Sequence, residues 1–237
     1  MAAMNVSGSP PDGSHGPHVL VADVEHPVLS DPDRRHLTGS LRLRDGDQLT
    51  VGDGQGAWAE CVLHGEPELL SAIQRVPRSN PQLGVAFALI KGGRPELVVQ
   101  KLTELGVDRI IPFSAGRSIV KWDSSKSARN IERFRKVAAE AVMQCRRAWL
   151  PVVDEVMSFS DAVSLPGCVM ADMTGRSLTP SDQIVVVGPE GGWTAEERST
   201  SAPLVKLATP VLRAETAAIT AGALLTAIRD GHVAACD

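Results

Sequence analysis

The chain has 237 residues, of which 43% are apolar and 22% charged, and a formal charge of −4. That length allows one large or two modest domains with a real core, and the proportions exclude a wholly disordered, collagenous or coiled-coil chain. The longest uncharged apolar run, Ala217 to Ile228, falls short of the ~20 residues a membrane span needs, so a soluble, cytoplasmic protein with no membrane partner is expected.

In chain order, Met1 to Pro17 is rich in Gly, Ser and Pro and lacks the basic and apolar regions of a secretory signal. A disordered extension over 1–17 is expected. From His18 to Ile73, short apolar runs alternate with turn signals: His18–Asp23, Gln48–Val51 after Asp45-Gly46-Asp47, and Ala57–Leu63 after Asp53-Gly54. This spacing predicts a small antiparallel barrel over 18–75. The Pro- and Arg-containing stretch that follows, Arg75 to Pro81, reads as a linker at 76–81.

The rhythm changes over 82–237. Strands are predicted at Val85–Ile90, Arg109–Phe113, Val152–Val156, Cys168–Asp172, Gln183–Gly188 and Leu204–Ala208. Helices are predicted at Pro95–Leu105, opened by its proline and stopped by Gly106, at Ser127–Arg147, and from about Glu215 to Arg229. Near-continuous apolar strands alternating with helices predict an α/β fold whose parallel sheet is covered on both faces.

The four cysteines, Cys61, Cys145, Cys168 and Cys236, form no C-x-x-C pair, so neither a disulfide framework nor a metal is expected. Cys61 and His64 have the spacing of half a zinc site, with no second half. Charge is distributed unevenly. Nine basic residues between Arg117 and Arg147 face Asp123, Glu132 and Glu140, leaving that segment with six net positive charges and the remainder with ten negative. Phosphate responds to such local potential rather than to net charge. A second basic knot, Arg34, Arg35, Arg42 and Arg44, flanks His36. A solvated helix face accounts for this charge equally well. With no Tyr, four Trp and four Phe, a multi-base stacking platform is not expected.

Three motifs could carry chemistry. Gly52-Asp53-Gly54-Gln55-Gly56-Ala57 fits the dinucleotide fingerprint, but a strand-like run follows where a helix is needed, which favours a hairpin. Gly188-Pro189-Glu190-Gly191-Gly192-Trp193 follows the apolar run Ile184–Val187 and precedes Thr194-Ala195-Glu196-Glu197, a capping-box spacing. A glycine-rich loop at the carboxyl end of a parallel strand is where α/β sheets bind ligands. Without a following Lys-Ser/Thr it suits a neutral or cationic ligand rather than phosphate, with Glu190 as counter-charge. A tight structural turn is the plainer reading. At Leu212-Arg213-Ala214-Glu215-Thr216, Arg213 and Glu215 share a side of an extended entry, Thr216 is placed to cap the last helix, and an Arg–Glu salt bridge is the plainer reading of the pair.

Taken together, these stretches resemble the bacterial ribosomal RNA small-subunit methyltransferase E family of the SPOUT superfamily, whose members methylate uridine N3 in 16S rRNA. The matching blocks are Val99 to Val107, Ile111-Pro112-Phe113 through Arg117-Ser118, Ile184 to Trp193 and Leu212 to Ala217, while His36, Leu41-Arg42 and Gly46-Asp47 resemble that family's PUA-like barrel. The likeness covers roughly 18–231. Met143, Ala208 and Pro210 depart from the family pattern.

The resemblance implies a SPOUT sheet with a carboxyl-terminal trefoil knot, an exception to the rule against threading, preceded by a PUA-like barrel that binds RNA. It implies S-adenosylmethionine in three loops, with Ala171, Asp172, Gly188, Pro189, Glu190, Gly191, Gly192, Leu207, Leu212, Arg213 and Thr216 as its binding residues. Methylating N3 requires loss of an imide proton. Glu215, with Glu190 as rival, is the candidate base, and Arg213 the stabiliser of the resulting anion. Arg34, Arg35, Arg42, Arg44, Arg117 and Arg147 are the implied RNA contacts, a homodimer the implied state, and the small ribosomal subunit the implied partner. A related enzyme acting on a ribose 2′-hydroxyl or another base, and a non-catalytic RNA-binding assembly protein, are the alternatives.

Overall fold

The computed structural model describes residues 8–91 and 94–234, which divide into two compact units, 8–79 with 139–150 and 80–138 with 151–234. Residues 1–7 of the expected extension, and Cys236, lie outside the described residues.

The first unit begins with β1 (His18–Leu20), α1 (Asp31–Arg35) and a π-helical turn at His36–Ser40. Strands β2 (Gln48–Gly52), β3 (Ala57–His64), β4 (Glu66–Leu69) and β5 (Gln74–Arg75) follow. They form one five-stranded sheet in the order β1-β2-β3-β4, with β5 also on β3. The apolar faces of β2 and β3 place Leu49, Val51, Ala59 and Cys61 in a core closed by Leu37. Met143, a departure from the family pattern, packs against that core, which explains an apolar residue there. Burial pushes the Cys61 thiol up to about 11. At the fingerprint-like segment the chain makes a hairpin, as expected. Gly54 and Gly56 have φ of +66° and +101°, and Asp53 Oδ1 accepts from the N–H groups of Gln55 and Ala57.

Two expectations fail in this unit. The sheet is not wholly antiparallel: β1 runs parallel to β2, with Val19 opposite Val51. The long connection through α1 supplies the crossover that a parallel pair requires. Residues 8–17 are not a free extension either. Gly8 N–H donates to Arg75 O at 3.0 Å, Trp58 Nε1 to Ser9 O at 2.8 Å, and Thr50 N–H to Pro17 O at 2.8 Å. These contacts engage backbone, which leaves no side-chain pattern to read. Val76, in the expected linker, is likewise tied to the sheet by Gly56 O at 2.8 Å.

His18 gives this unit a pH dependence. It is 4% exposed, its Nδ1 lies 2.9 Å from Thr50 Oγ1, and its Nε2 has no hydrogen-bond partner. Burial, reinforced by the charge of Arg146, lowers its pKa from 6.5 to about 4. The folded state therefore keeps the ring neutral while the unfolded chain takes up a proton. Stability falls as pH drops from 6.5 to about 4 and the contribution levels off below. Over that window the loss is about 3 kcal/mol. Denaturant midpoints measured against pH should fall more steeply for the wild type than for His18→Gln; parallel curves would remove His18 from the account.

The second unit contains β6 (Gly84–Ala88), α2 (Arg94–Glu104), β7 (Arg109–Ser114) and α3 (Ser124–Cys145), whose last turns from Ala139 belong to the first unit. Then come β8 (Val152–Val153), β9 (Met157–Ser158), α4 (Phe159–Val163) and β10 (Cys168–Arg176). The chain continues through β11 (Ile184–Val187), α5 (Ala195–Arg198), β12 (Leu204–Val205) and α6 (Ala214–Arg229). The sheet is parallel throughout, in the order β12-β10-β11-β6-β7-β8 with β9 also on β7. Its central strands are buried along their length, the signature of a sheet covered on both faces. Helix α6 lies close on α2: a Cβ on Gly222 would stand 2.5 Å from Leu102 Cδ2. A buried ion pair, Arg229 Nη1 to Asp108 Oδ2 at 2.8 Å, fixes the far end of α6.

Strand β10 contains the feature that shapes the site. Val205 of β12 pairs with both Ala171 and Arg176, so 172–175 leave the ladder and return to it. The return is clamped by Arg176, which donates two bonds to the carboxylate of Asp182 at 2.7 and 2.8 Å. Among the described residues no helix is long and apolar enough to cross a membrane.

Candidate active site

The glycine-rich loop leaves the carboxyl end of β11, a central strand, and three anchors fix it. Gly192, at φ +68°, donates its N–H to Pro189 O at 2.8 Å. Trp193 donates from Nε1 to Ala171 O at 3.0 Å and stacks on Phe113 with ring centroids 6.3 Å apart. The capping box forms as its spacing predicts: Thr194 Oγ1 accepts Glu197 N–H, and Glu197 Oε2 accepts Thr194 N–H. The other oxygen of Glu197 accepts Gly116 N–H at 2.7 Å. A Cβ at Gly188 would lie 3.0 Å from the Trp193 ring, so a larger residue there would push on the indole.

The displaced segment of β10 supplies the second wall. Asp172 Oδ2 takes Arg198 Nη2 at 2.5 Å, and Oδ1 accepts from Thr174 N–H at 3.0 Å and Thr174 Oγ1 at 2.8 Å. Burial opposes the charged form, but the Thr174 bonds and Arg198 outweigh it and hold the carboxyl below its ordinary value. Asp172 is thus spent on loop geometry. The third wall is the segment leading into α6.

Between these walls lies a cavity of about 240 Å³. Of the residues the sequence singled out, Ala171 and Asp172 line it from the first wall and Gly188, Pro189, Glu190 and Gly192 from the loop, while Leu207 and Leu212 come from the third segment. Gly191, Arg213 and Thr216 are not among its lining residues. The Gly191 carbonyl instead accepts Arg117 Nη1 at 3.1 Å. Thr216 does not cap α6: the helix already begins at Ala214, so Arg213 occupies the cap position without a side-chain cap bond, and Thr216 is exposed within the first turn. The lining also takes in Met173, Trp193, Val211 and Ala214, which lie in or beside the three expected loops, and Ala208 and Pro210, departures from the family pattern, while Val187, Arg198 and Ala217 were not singled out as binding residues.

A charged group adjoins it. Arg94, which the sequence analysis did not single out, lies 3.4 Å from Glu190 Oε1 and 3.6 Å from Glu215 Oε1. The expected Arg213–Glu215 pair is not formed among the described residues; Glu215 takes Arg94, and Arg213 is exposed. Glu215 is only 13% exposed at its side chain, and its Oε2 is buried with no hydrogen-bond partner. A carboxylate oxygen held in that way is a waiting acceptor for an N–H or O–H from a ligand.

The remaining basic residues are scattered. Arg34 is bound to Gly65 O and Glu66, and Arg35 Nε donates to Asp31 O at 3.2 Å. Arg42, at φ +59°, and Arg44 are exposed. Arg117 belongs to the second unit and Arg147, half-buried, to the first. No group of three His, Cys, Asp or Glu that could hold a metal occurs among the described residues.

Comparison with known proteins adds to this geometry. Residues 77–226 match the RNA methyltransferase domain model, and 29–68 the RNA methyltransferase PUA domain model. The chain is 33% identical over 229 residues to ribosomal RNA small subunit methyltransferase E of Mycobacterium bovis, covering 85% of this chain and 87% of the relative. It is 32% identical over 186 residues to the Bacillus subtilis protein of the same name, covering 68% and 73%. Among solved structures, ribosomal RNA small subunit methyltransferase E from Neisseria gonorrhoeae bound to S-adenosyl methionine superposes with a TM-score of 0.75 at 28% identity, covering 90% of this chain and 98% of that one. A Legionella pneumophila methyltransferase in complex with bound SAM gives 0.76 at 28% identity, covering 89% and 96%.

Proposed function

The chain belongs to the ribosomal RNA small-subunit methyltransferase E family, and from that premise we propose that it methylates a uridine at N3 in 16S rRNA of the small ribosomal subunit, using S-adenosylmethionine. The cavity suits that cofactor chemically. Val187, Leu207 and Leu212 offer apolar contact for an adenosine, the glycines leave backbone groups bare, no lysine faces the crevice, and Glu190 offsets positive charge. When bound, S-adenosylmethionine supplies a methyl group on a sulfonium, which leaves as a neutral thioether once N3 has taken the methyl.

The chain's own residues handle the proton and the charge. Glu215 Oε2, buried and unpartnered, accepts the imide proton. Arg94 holds Glu215 and Glu190 together, which keeps the acceptor oriented. Arg213 faces solvent at the head of α6, where its guanidinium is available to the negative charge that N3 and its neighbouring carbonyls develop. The unpartnered carboxylate oxygen beside a three-walled crevice is the observation that carries this reading.

The reading extends to a trefoil knot at the carboxyl end of the sheet, which the family resemblance implies. It also includes a PUA-like barrel over 18–75 that binds RNA, a methyltransferase domain over 82–237, and a cytoplasmic homodimer. The homodimer is supported by apolar Val211 and Met173 left exposed at the cavity rim. RNA contacts would come from Arg42 and Arg44, which are exposed, together with Arg34, Arg35, Arg117 and Arg147; of these, Arg34, Arg35 and Arg117 also hold protein partners.

The test is methyl transfer from labelled cofactor to small ribosomal subunits from cells lacking this modification, followed by nucleoside analysis. Label should appear in 3-methyluridine. Label in a ribose methyl group or in another base would overturn the assignment.

A further inference from the structure

The second unit has another cavity, of about 420 Å³, lined in part by Pro95 and Glu96 at the start of α2. We propose that it is a nucleotide subsite that takes the RNA residue next to the methylated uridine, with phosphate on its lysines and the base against Trp122. This rests on the function proposed above.

The chemistry of the walls selects a nucleotide. Lys91, Lys121 and Lys126 line the cavity, are exposed, and make no ion pair among the described residues. Three such ammonium groups call for a phosphate-bearing ligand. Ile90, Pro95 and Ile119 form an apolar side, and half-buried Trp122 is fixed by Phe134, with ring centroids 6.0 Å apart at 51°. A single indole so held offers a face or edge to one flat ring, a smaller demand than the multi-base platform the composition excludes. Glu96 supplies the third element. One oxygen pairs with Arg133 at 3.1 Å, while Oε2 is buried with no hydrogen-bond partner. A ribose hydroxyl or a base N–H satisfies it; a simple acidic metabolite satisfies only the lysines.

Two chain segments connect this cavity to the reaction site. Arg94 touches Glu190 and Glu215, and the next two residues, Pro95 and Glu96, line the second cavity. Arg117 bonds Gly191 O, and Ile119, two residues on, lines the second cavity as well. Two residues of chain span at most about 7 Å. The proposal seats the nucleotide that neighbours the uridine beside Glu215 in this adjoining cavity, on the Trp122 side.

The experiment measures steady-state methylation of unmodified small subunits, direct binding of a fluorescein-labelled 16S rRNA fragment, and cofactor affinity, all on the full chain. The Lys121→Ala/Lys126→Ala variant should raise KM and RNA Kd about tenfold, with kcat and cofactor Kd unchanged. The Arg129→Ala/Lys136→Ala variant removes the same charge from α3 outside the cavity and should change RNA affinity about twofold or less. Trp122→Leu should weaken RNA binding about tenfold and Trp122→Phe should restore most of it. Equal losses for the two double variants, or unchanged RNA affinity in folded Trp122→Leu, overturn the subsite. So does a shift of these variants to monomer in sedimentation, which would show the cavity covered by a second copy. Failure of the wild type to transfer methyl to uridine N3 refutes the earlier reading alone, because direct RNA binding still decides the subsite.

Discussion

Gly175→Ala is expected to abolish measurable cofactor binding and to lower stability by about 3 kcal/mol, the upper end of the cost of overpacking. A Cβ at this position would stand 2.4 Å from Val205 N and 2.5 Å from Leu204 C and Val205 C. All three are backbone atoms of β12, so no rotamer change relieves the clash, and one of the two segments must move. Either movement breaks the pairing of Val205 with Ala171 and Arg176, and the 2.7 Å bond from Lys206 N–H to Arg176 O. Ala171, Asp172 and Met173 line the crevice on one side and Leu207 on the other, so the wall and the third segment separate together. Gly39→Ala is the control: nothing lies within 4 Å of its added Cβ, and its effect should stay within about 0.5 kcal/mol. Calorimetric titration with S-adenosylmethionine and denaturant unfolding measure both effects. Cofactor affinity within twofold of wild type in Gly175→Ala would show that the crevice does not depend on this close approach.

That close approach also marks where sequence reasoning stops. The apolar run Ile184–Val187 followed by Gly188–Trp193 was readable as a buried strand with a ligand loop, because burial on both faces and the loop's glycines are local properties. The same holds for α2 and α6, whose periodicity and end signals set their limits to within a residue of the expected ones. Strand β10 was readable only as far as Asp172. Its displaced part, 172–175, breaks the apolar run, and its geometry is set by Arg198 on Asp172, Asp182 on Arg176 and Val205 on both sides of it, partners that no local pattern announces. The same limit hid Arg94. Its partners lie at 190 and 215, so its role exists only once β11, α2 and α6 converge. Thr216 illustrates the opposite error: a good capping residue sits near the helix start, but helical geometry is already established at Ala214, so the cap falls on Arg213.

That position of Arg213 makes the second large effect. Arg213→Ala is expected to lower kcat by about 10²- to 10³-fold, the usual loss when one stabiliser of a developing anion is removed, while cofactor Kd stays within about threefold. The guanidinium is exposed and forms no side-chain bond among the described residues, so its removal leaves no buried partner stranded and the loss can be read as chemistry rather than folding. Its neighbours Ala214 and Leu212 line the crevice, which puts it at the edge from which a pyrimidine must enter. Glu215→Gln separates charge from proton transfer. It keeps the side chain's shape but cannot accept the imide proton, so methylation should fall steeply near neutral pH and recover as rising pH ionises the uridine without help. Glu190→Gln should show no such recovery, because Glu190 is the more exposed member of the Arg94 pair and has no buried unpartnered oxygen. If the alkaline rescue follows Glu190→Gln instead, the acceptor is Glu190 and Glu215 serves only to hold Arg94. If Arg213→Ala turns over at the wild-type rate, the anion must be stabilised by another group, and Arg94, already between the two carboxylates, becomes the residue to test.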